Sequence, residues 1–262
     1  MTHDPADVRT SAGPLTGRTA LVTGGGTGLG AAITRALHGA GAAVVITGRR
    51  PEPLVALAAE LERVEHRVCD VADHRSVAAL TESLAGQQIS IVVNNAGVAG
   101  PVAPLVDIDV EAWDEVFDIN VRGVFLVCKA FLPAMVLRGS GDVINLASVS
   151  GKRPLIRRTP YCASKMAVLG LTSTLAFEVG PAGVSVNSLS PGPVDGPRMD
   201  RNFRLEAERS GTSYEHALEA FVSRAALGRM VTEEEVGAAV LAMLAMPGLC
   251  GADIDLSAGM VA

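Results

Sequence analysis

Short, largely apolar runs recur along the chain, separated by longer stretches with helical periodicity. The runs fall at 19–23, 43–47, 66–69, 89–93, 142–146, 184–189 and 252–256, as in Ala43-Val44-Val45-Ile46-Thr47. Helices are expected over 30–41, 52–61, 77–84, 110–137 and 160–179. Strands that are apolar throughout, without polar alternation, are buried on both faces. Alternation with helices makes those strands parallel, and right-handed crossovers wind the helices onto both sides. The expected fold is therefore α/β, a Rossmann-like doubly wound parallel sheet of about seven strands. The 262 residues suffice for one such domain, and with aromatics at only 3% its core must be aliphatic. Residues 1–16 are polar, with two prolines, and are expected to form a loose tail ahead of one domain over 17–262.

Composition excludes several roles. A net charge of −6 leaves no basic footprint for nucleic acid. No uninterrupted apolar stretch reaches 18 residues and no signal-peptide pattern is seen, so a membrane partner is not expected. Cys69, Cys128, Cys162 and Cys250 lack C-x-x-C or metal-ligand spacing. Neither structural metal nor a disulfide framework is expected, and a reducing cytoplasm fits.

The segment Thr23-Gly24-Gly25-Gly26-Thr27-Gly28-Leu29-Gly30 lies directly between the first expected strand and the first helix. Glycines there let the backbone approach a pyrophosphate, and the helix N-terminus offers free N–H groups at the positive end of its dipole. The spacing G-x-x-x-G-x-G has a longer first gap than G-x-G-x-x-G and is one residue longer as a whole. The second strand runs into Gly48-Arg49-Arg50. A carboxylate at that point would bind the ribose 2′-hydroxyl of NAD. Its replacement by Gly48, with Arg49 and Arg50 following, favours the 2′-phosphate of NADP(H), with NAD(H) as the alternative.

Tyr161 and Lys165 are four residues apart, and Ser148 lies thirteen positions upstream of the tyrosine. On a helix the two side chains share one face. A fixed ammonium beside a phenol favours the phenolate. A serine hydroxyl reaching the same point could hold a substrate oxygen. Together the three could move a proton on or off an alcohol or carbonyl.

Further motifs follow in order: Asp70-Val71, Asn94-Asn95-Ala96-Gly97, Asn120 within Phe117-Asp-Ile-Asn-Val-Arg-Gly123, and Pro191-Gly192. With the glycine turn, Ser148 and Tyr161-x-x-x-Lys165, they make the chain from about Gly17 onward resemble the short-chain dehydrogenase/reductase family. The resemblance implies that Tyr161 is the general acid/base and that Lys165 assists it and holds the nicotinamide ribose. It implies that Ser148 binds the substrate oxygen. Asn120 would interrupt its long helix and anchor a water linking Lys165 to solvent. Cofactor contacts are implied for Gly24, Gly26, Thr27, Gly28, Leu29 and Gly30 of the turn. Asp70 and Val71 would meet the adenine, and Asn95, Ala96 and Gly97 would lie beside its ribose. Pro191, Gly192 and Val194 would position the nicotinamide. Gly196 stands where the family often has a threonine that touches the carboxamide.

The same resemblance implies a helical substrate lid at about 197–228 and a homo-oligomer, tetramer or dimer. That association would use the apolar faces around Asn120 and Tyr161 and the stretch 258–262. Lys152, Arg153, Arg157 and Arg158, with Arg198, Arg201 and Arg204, cluster around these motifs. They suggest an anionic group on the small-molecule carbonyl or alcohol substrate, such as a 3-oxoacyl compound. The leading expectation is hydride transfer between NADP(H) and a secondary alcohol or ketone. NAD-dependent oxidation of a polyol or hydroxy acid is the alternative within enzymes. A catalytically idle dinucleotide-binding scaffold is the alternative outside them.

Overall fold

The computed structural model describes residues 13–260. The first half contains β1 (Thr19–Thr23), α1 (Gly28–Gly39), β2 (Ala43–Gly48), α2 (Pro51–Glu60), β3 (Val64–Val68), α3 (His74–Ser83) and β4 (Ile89–Asn94). The second contains α4 (Val110–Phe117), α5 (Gly123–Arg138), β5 (Gly141–Leu146), α6 (Thr159–Val179) and β6 (Val184–Pro191). Then follow α7 (Pro197–Ser210), α8 (Tyr214–Val222), α9 (Glu233–Leu244) and β7 (Asp253–Leu256). The seven strands form one sheet in the order β3-β2-β1-β4-β5-β6-β7, and every pairing is parallel.

Strand geometry explains why the apolar runs do not alternate with polar residues. Successive side chains point to opposite faces, and here both faces are covered. Val22, Ile46 and Ile144 pack with α1 and α9, whose Ile33, Leu37, Val236 and Val240 join them. Their neighbours Leu21, Val45 and Val143 pack on the other face with Val127 and Phe131 of α5 and Val168 of α6. The chain leaves β1 towards β2 on one side and returns to pair β4 on the other. That reversal of strand order opens a crevice at the carboxyl ends of β1 and β4.

Several boundaries differ from expectation. The third strand is Val64–Val68, two residues earlier than its apolar pattern suggested. It pairs with β2 in a register joining Val44 to Val64. The third helix starts at His74, because the Asp73 carboxylate caps it by accepting the Arg75 N–H at 3.0 Å. Within the segment expected to be loose, Leu15 is buried in the core and its N–H donates to Ala40 O at 2.9 Å. Residues 1–12 lie outside the described residues. Met260 is buried against the chain's own core, while 261 and 262 lie outside the described residues.

The sequence contains no uninterrupted apolar run of membrane-spanning length. Two helical segments nevertheless reach it in length and composition. They are Val110–Arg138, with a mean hydropathy of 1.6, and Thr159–Ala182, at 1.2. Here α5 packs on β4 and β5, and α6 on β6.

The region after β6 carries a small cluster of its own. Met199, Phe203 and Met230 are buried together, with Tyr214 and Phe221 against them. The Phe203 ring meets those of Tyr214 and Phe221 edge-on.

Candidate active site

The glycine turn lies bare against its surroundings. A Cβ on Gly30 would fall 2.0 Å from Gly24 O. One on Gly24 would fall 3.0 Å from Asn95 Nδ2, and Gly24 and Gly28 take φ of +63° and +52°. One on Gly26 would fall 3.0 Å from the Leu54 side chain. Thr27, at the N-cap of α1, gives no side-chain cap. The first N–H groups of the helix therefore remain available to an anion. A glycine turn too tightly packed for side chains, ending at a helix N-terminus with free N–H groups, fits a dinucleotide diphosphate.

A cleft of about 300 Å³ continues from this turn across the end of the sheet. It brings together Gly24, Gly26 and Thr27, then Arg49 and Arg50, then Asp70 and Val71, then Ala96 and Gly97. Gly48, Pro53, Leu54, Cys69, Val98 and Ile119 complete its wall. Both arginines are exposed, and among the described residues no carboxylate pairs with either. The Asp70 carboxylate accepts the Ala72 N–H at 3.0 Å, which fixes the turn after β3.

Other expected cofactor residues lie outside this lining. Gly28, Leu29 and Gly30 form the first turn of α1. The Asn95 amide donates to the glycine turn, to Thr23 O at 2.9 Å and Gly24 O at 3.2 Å. Pro191 ends β6, and the Gly192 N–H donates to Leu256 O at 2.8 Å. Val194 forms a parallel bridge with Val231. Thr23, which sequence reasoning passed over, ties the two loops. Its hydroxyl accepts the N–H groups of both Asn95 and Ala96 at 3.0 Å.

Tyr161 and Lys165 lie on α6, and their side chains meet, with Lys165 Nζ 5.8 Å from the centre of the tyrosine ring. Lys165 is only 6% exposed, and its ammonium donates to Leu146 O at 2.7 Å, at the end of β5. Ser148 follows two residues later and caps the 3₁₀ turn Val149–Gly151, its Oγ accepting the Ser150 N–H at 3.1 Å. Gly151 brings this turn against α6, since a Cβ there would lie 3.0 Å from the Lys165 carbonyl carbon.

Asn120 falls in a π-helical turn, Asp118–Arg122, between α4 and α5. This is the local interruption the sequence suggested, and such bulges concentrate at functional sites. Its Oδ1 accepts the Val98 N–H at 2.8 Å, and its Nδ2 donates to Val98 O at 2.9 Å and Ser164 Oγ at 3.0 Å. Ser164 Oγ donates in turn to Tyr161 O at 2.8 Å. A Cβ on Gly97 would lie 3.1 Å from Asn120 Oδ1 and 3.7 Å from Lys165 Nζ. The Gly97 end of the cleft thus abuts the lysine.

A second polar chain anchors α6 to the sheet. Asn94 Nδ2 donates to Asn145 Oδ1 at 2.8 Å, and Asn145 Nδ2 donates to Thr172 Oγ1 at 2.9 Å. All three are buried. Asn145 was missed, although an asparagine inside the apolar run 142–146 is the kind of signal that could have found it.

The basic cluster is largely occupied elsewhere. The Lys152 ammonium is shared by Asp253 and Asp255 of β7. Arg153 donates to Met260 O and lies 3.8 Å from Asp255. Arg157 donates to Val102 O at 3.3 Å, and Arg158 to Ala99 O at 3.2 Å and Gly100 O at 3.3 Å. These two arginines pin the loop after β4. Arg204 stacks over the Tyr214 ring and Arg201 is exposed, while the side chain of Arg198 lies outside those described.

This fold, with a glycine cradle at one end of the cleft and tyrosine, lysine and serine at the other, defines an NAD(P)-dependent oxidoreductase acting on CH–OH or C=O groups. The family model for short chain dehydrogenase matches residues 18–208, and the chain belongs to that family. It is 40% identical over 206 residues to a D-threitol dehydrogenase of Mycolicibacterium smegmatis, covering 73% of this chain and 79% of that one. Among solved structures it superposes on an actinorhodin polyketide ketoreductase with NADPH at a TM-score of 0.88. That pair shares 30% identity over 93% of this chain and 97% of the other. It superposes on an NAD+-bound xylitol dehydrogenase at a TM-score of 0.87, with 28% identity over 94% and 100% of the two chains.

Proposed function

We propose that the protein transfers a hydride between NADP(H) and a secondary alcohol or ketone, with Tyr161, Ser148 and Lys165 as the groups at the reacting oxygen. The observation that carries this reading is the meeting of Tyr161 and buried Lys165 on one face of α6, beside the Ser148 turn. Bound nicotinamide supplies or accepts the hydride. The Ser148 hydroxyl holds the substrate oxygen. The Tyr161 hydroxyl gives that oxygen a proton in reduction and takes it back in oxidation. Lys165 holds its ammonium beside the Tyr161 ring, 5.8 Å from the ring centre, at the point where the proton is exchanged. Asn120 acts as a positioning residue, through Ser164 and the Tyr161 carbonyl.

The preference for NADP(H) is supported by Gly48, which puts no carboxylate at the end of β2, and by Arg49 and Arg50 on the cleft wall. Gly24 to Thr27, Asp70, Val71, Ala96 and Gly97 would hold the adenosine half. Pro191, Gly192 and Val194 would border the nicotinamide. We place one catalytic domain over 17–262, with α7 and α8 as a lid whose own apolar cluster lets it move as a unit and exclude water. Exposed Phe125 and Leu137 on α5 and Met166 and Phe177 on α6 support association into a dimer or tetramer. Cys69, Cys128, Cys162 and Cys250 are all free thiols, which suits the cytoplasm.

A strongly anionic substrate loses support, because Lys152 and Arg153 are held by β7 and the C-terminal stretch. A polyol or its hydroxyketone is the second reading, favoured by the resemblance to threitol and xylitol dehydrogenases. Following nicotinamide absorbance with panels of ketones, polyols and 3-oxoacyl thioesters, each with NADP(H) and NAD(H), tests both readings. Turnover of neutral ketones with NADPH supports the first reading. NAD-dependent oxidation confined to polyols would replace it with the second. No turnover in any of the three panels with either cofactor would contradict both readings.

A further inference from the structure

Glu233, the first residue of α9, stands between the two backbone turns that flank the cofactor cleft. A methyl group placed on Gly28 would lie 3.6 Å from Glu233 Oε1, and one placed on Gly196 would lie 3.5 Å from the same atom. One carboxylate oxygen therefore borders both the N-terminus of α1 and the turn after β6. Both turns carry glycine at the point of approach.

Two independent contacts fix this position. Gly237, one turn along α9, lies so close to α1 that a Cβ would come 2.9 Å from Ala36 Cβ and 3.1 Å from Ala32 O. On the other side Val231 bridges Val194, its N–H donating to Pro193 O at 3.1 Å while Asp195 N–H donates to Val231 O at 2.8 Å. Glu233 is not spent on capping its own helix. Thr232 and Glu235 close a reciprocal capping box there, and Glu235 also takes the Arg229 guanidinium. Among the described residues no basic side chain forms an ion pair with Glu233. Burial, and then the neighbouring Glu234 carboxylate, push its carboxyl above the usual range.

We propose that Glu233 is an internal anion set against the cofactor's diphosphate, limiting the affinity of this chain for its dinucleotide. The inference rests on reading the Gly24–Gly30 turn as the diphosphate cradle. The positive end of α1 attracts an anion, and the Glu233 carboxylate already stands beside that end. An incoming diphosphate has to share the field or push the carboxylate aside. Like charges a few ångströms apart in a partly enclosed cleft repel strongly enough to shift a dissociation constant by about tenfold. The consequence is a looser dinucleotide complex and faster release of the spent cofactor.

Calorimetric titration of the full chain with NADPH and with 2′-AMP tests this. The two ligands separate the diphosphate from the adenosine end. Glu233→Gln and Glu233→Ala are each expected to tighten NADPH about tenfold and to leave 2′-AMP unchanged, with unfolding midpoints near that of the unmodified protein. Equal or weaker NADPH binding by both folded variants would overturn the proposal. The unmodified chain separates the two possible failures. If it binds NADPH and both Glu233 variants bind it no more tightly, the role of Glu233 is refuted and the cofactor reading stands. If it binds neither NADPH nor NADH, the cofactor reading itself fails.

Discussion

At the β1–α1 end of the cleft, the surface offered to a ligand is largely backbone. At the β5–α6 end it is buried side chain. Gly24, Gly26 and Gly30 pack too closely on the chain's own atoms to carry a Cβ, and they shape a turn that ends at the uncapped N–H groups of α1. Asn94, Asn120, Asn145, Ser164, Lys165 and Thr172 are all buried, and their hydrogen bonds link β4, the π turn, β5 and α6. The difference suits the two tasks of the proposed function. Holding a diphosphate needs close approach and a dipole, which glycine and a helix N-terminus supply. Moving one proton needs a few side chains held still, and a satisfied polar network in low dielectric does that.

The two ends should therefore fail differently. Gly30→Ala drives a methyl onto Gly24 O. It should cost about 3 kcal/mol of stability and abolish dinucleotide binding, read by thermal unfolding and titration. Asn145→Leu leaves Asn94 Nδ2 with only the Cys128 sulfur and Thr172 Oγ1 with only Val168 O. It should cost about 2 kcal/mol and lower kcat while the KM for cofactor stays the same. An equal change in cofactor KM would merge the two ends and blunt the contrast. Arg49→Ala should leave stability unchanged and weaken NADPH about tenfold relative to NADH, as loss of one charge-assisted contact predicts.

The smallest effect concerns Cys128, which accepts an N–H from Asn94 within the buried network. Burial pushes its thiol up to about 12. Only the thiolate reacts with alkylating agents, so native protein should leave Cys128 unmodified at pH 8 and label it only on unfolding. Rapid native labelling there would show that the network opens.

The glycine-lined end of the cleft was legible because glycine has few other reasons to recur between a strand and a helix. The cleft does gather Gly24, Gly26, Thr27, Arg49, Arg50, Asp70 and Ala96. Asn95 was read as lying beside the adenine ribose, yet its amide serves the turn, because Thr23 O and Gly24 O need a donor. A sequence names the residue type but not which of two nearby partners it will satisfy. The same holds for the basic cluster. Lys152 and Arg153 stood out near Tyr161, but their carboxylate partners lie about a hundred residues away on β7. Strand order sets that proximity, and composition cannot show it. The Asn94–Asn145–Thr172 chain is likewise invisible until β4, β5 and α6 are adjacent. The π turn at Asn120 could be anticipated because asparagine inside a helix competes for backbone hydrogen bonds.

The central claim is that Tyr161 moves the proton at the reacting oxygen. The direct test is steady-state hydride transfer by Tyr161→Phe, using whichever substrate the panel identifies, alongside NADPH titration of the same protein. Loss of about a thousandfold or more in kcat, with cofactor affinity and unfolding midpoint retained, is the predicted result. A folded, cofactor-binding Tyr161→Phe protein that turns over at the unmodified rate would contradict it.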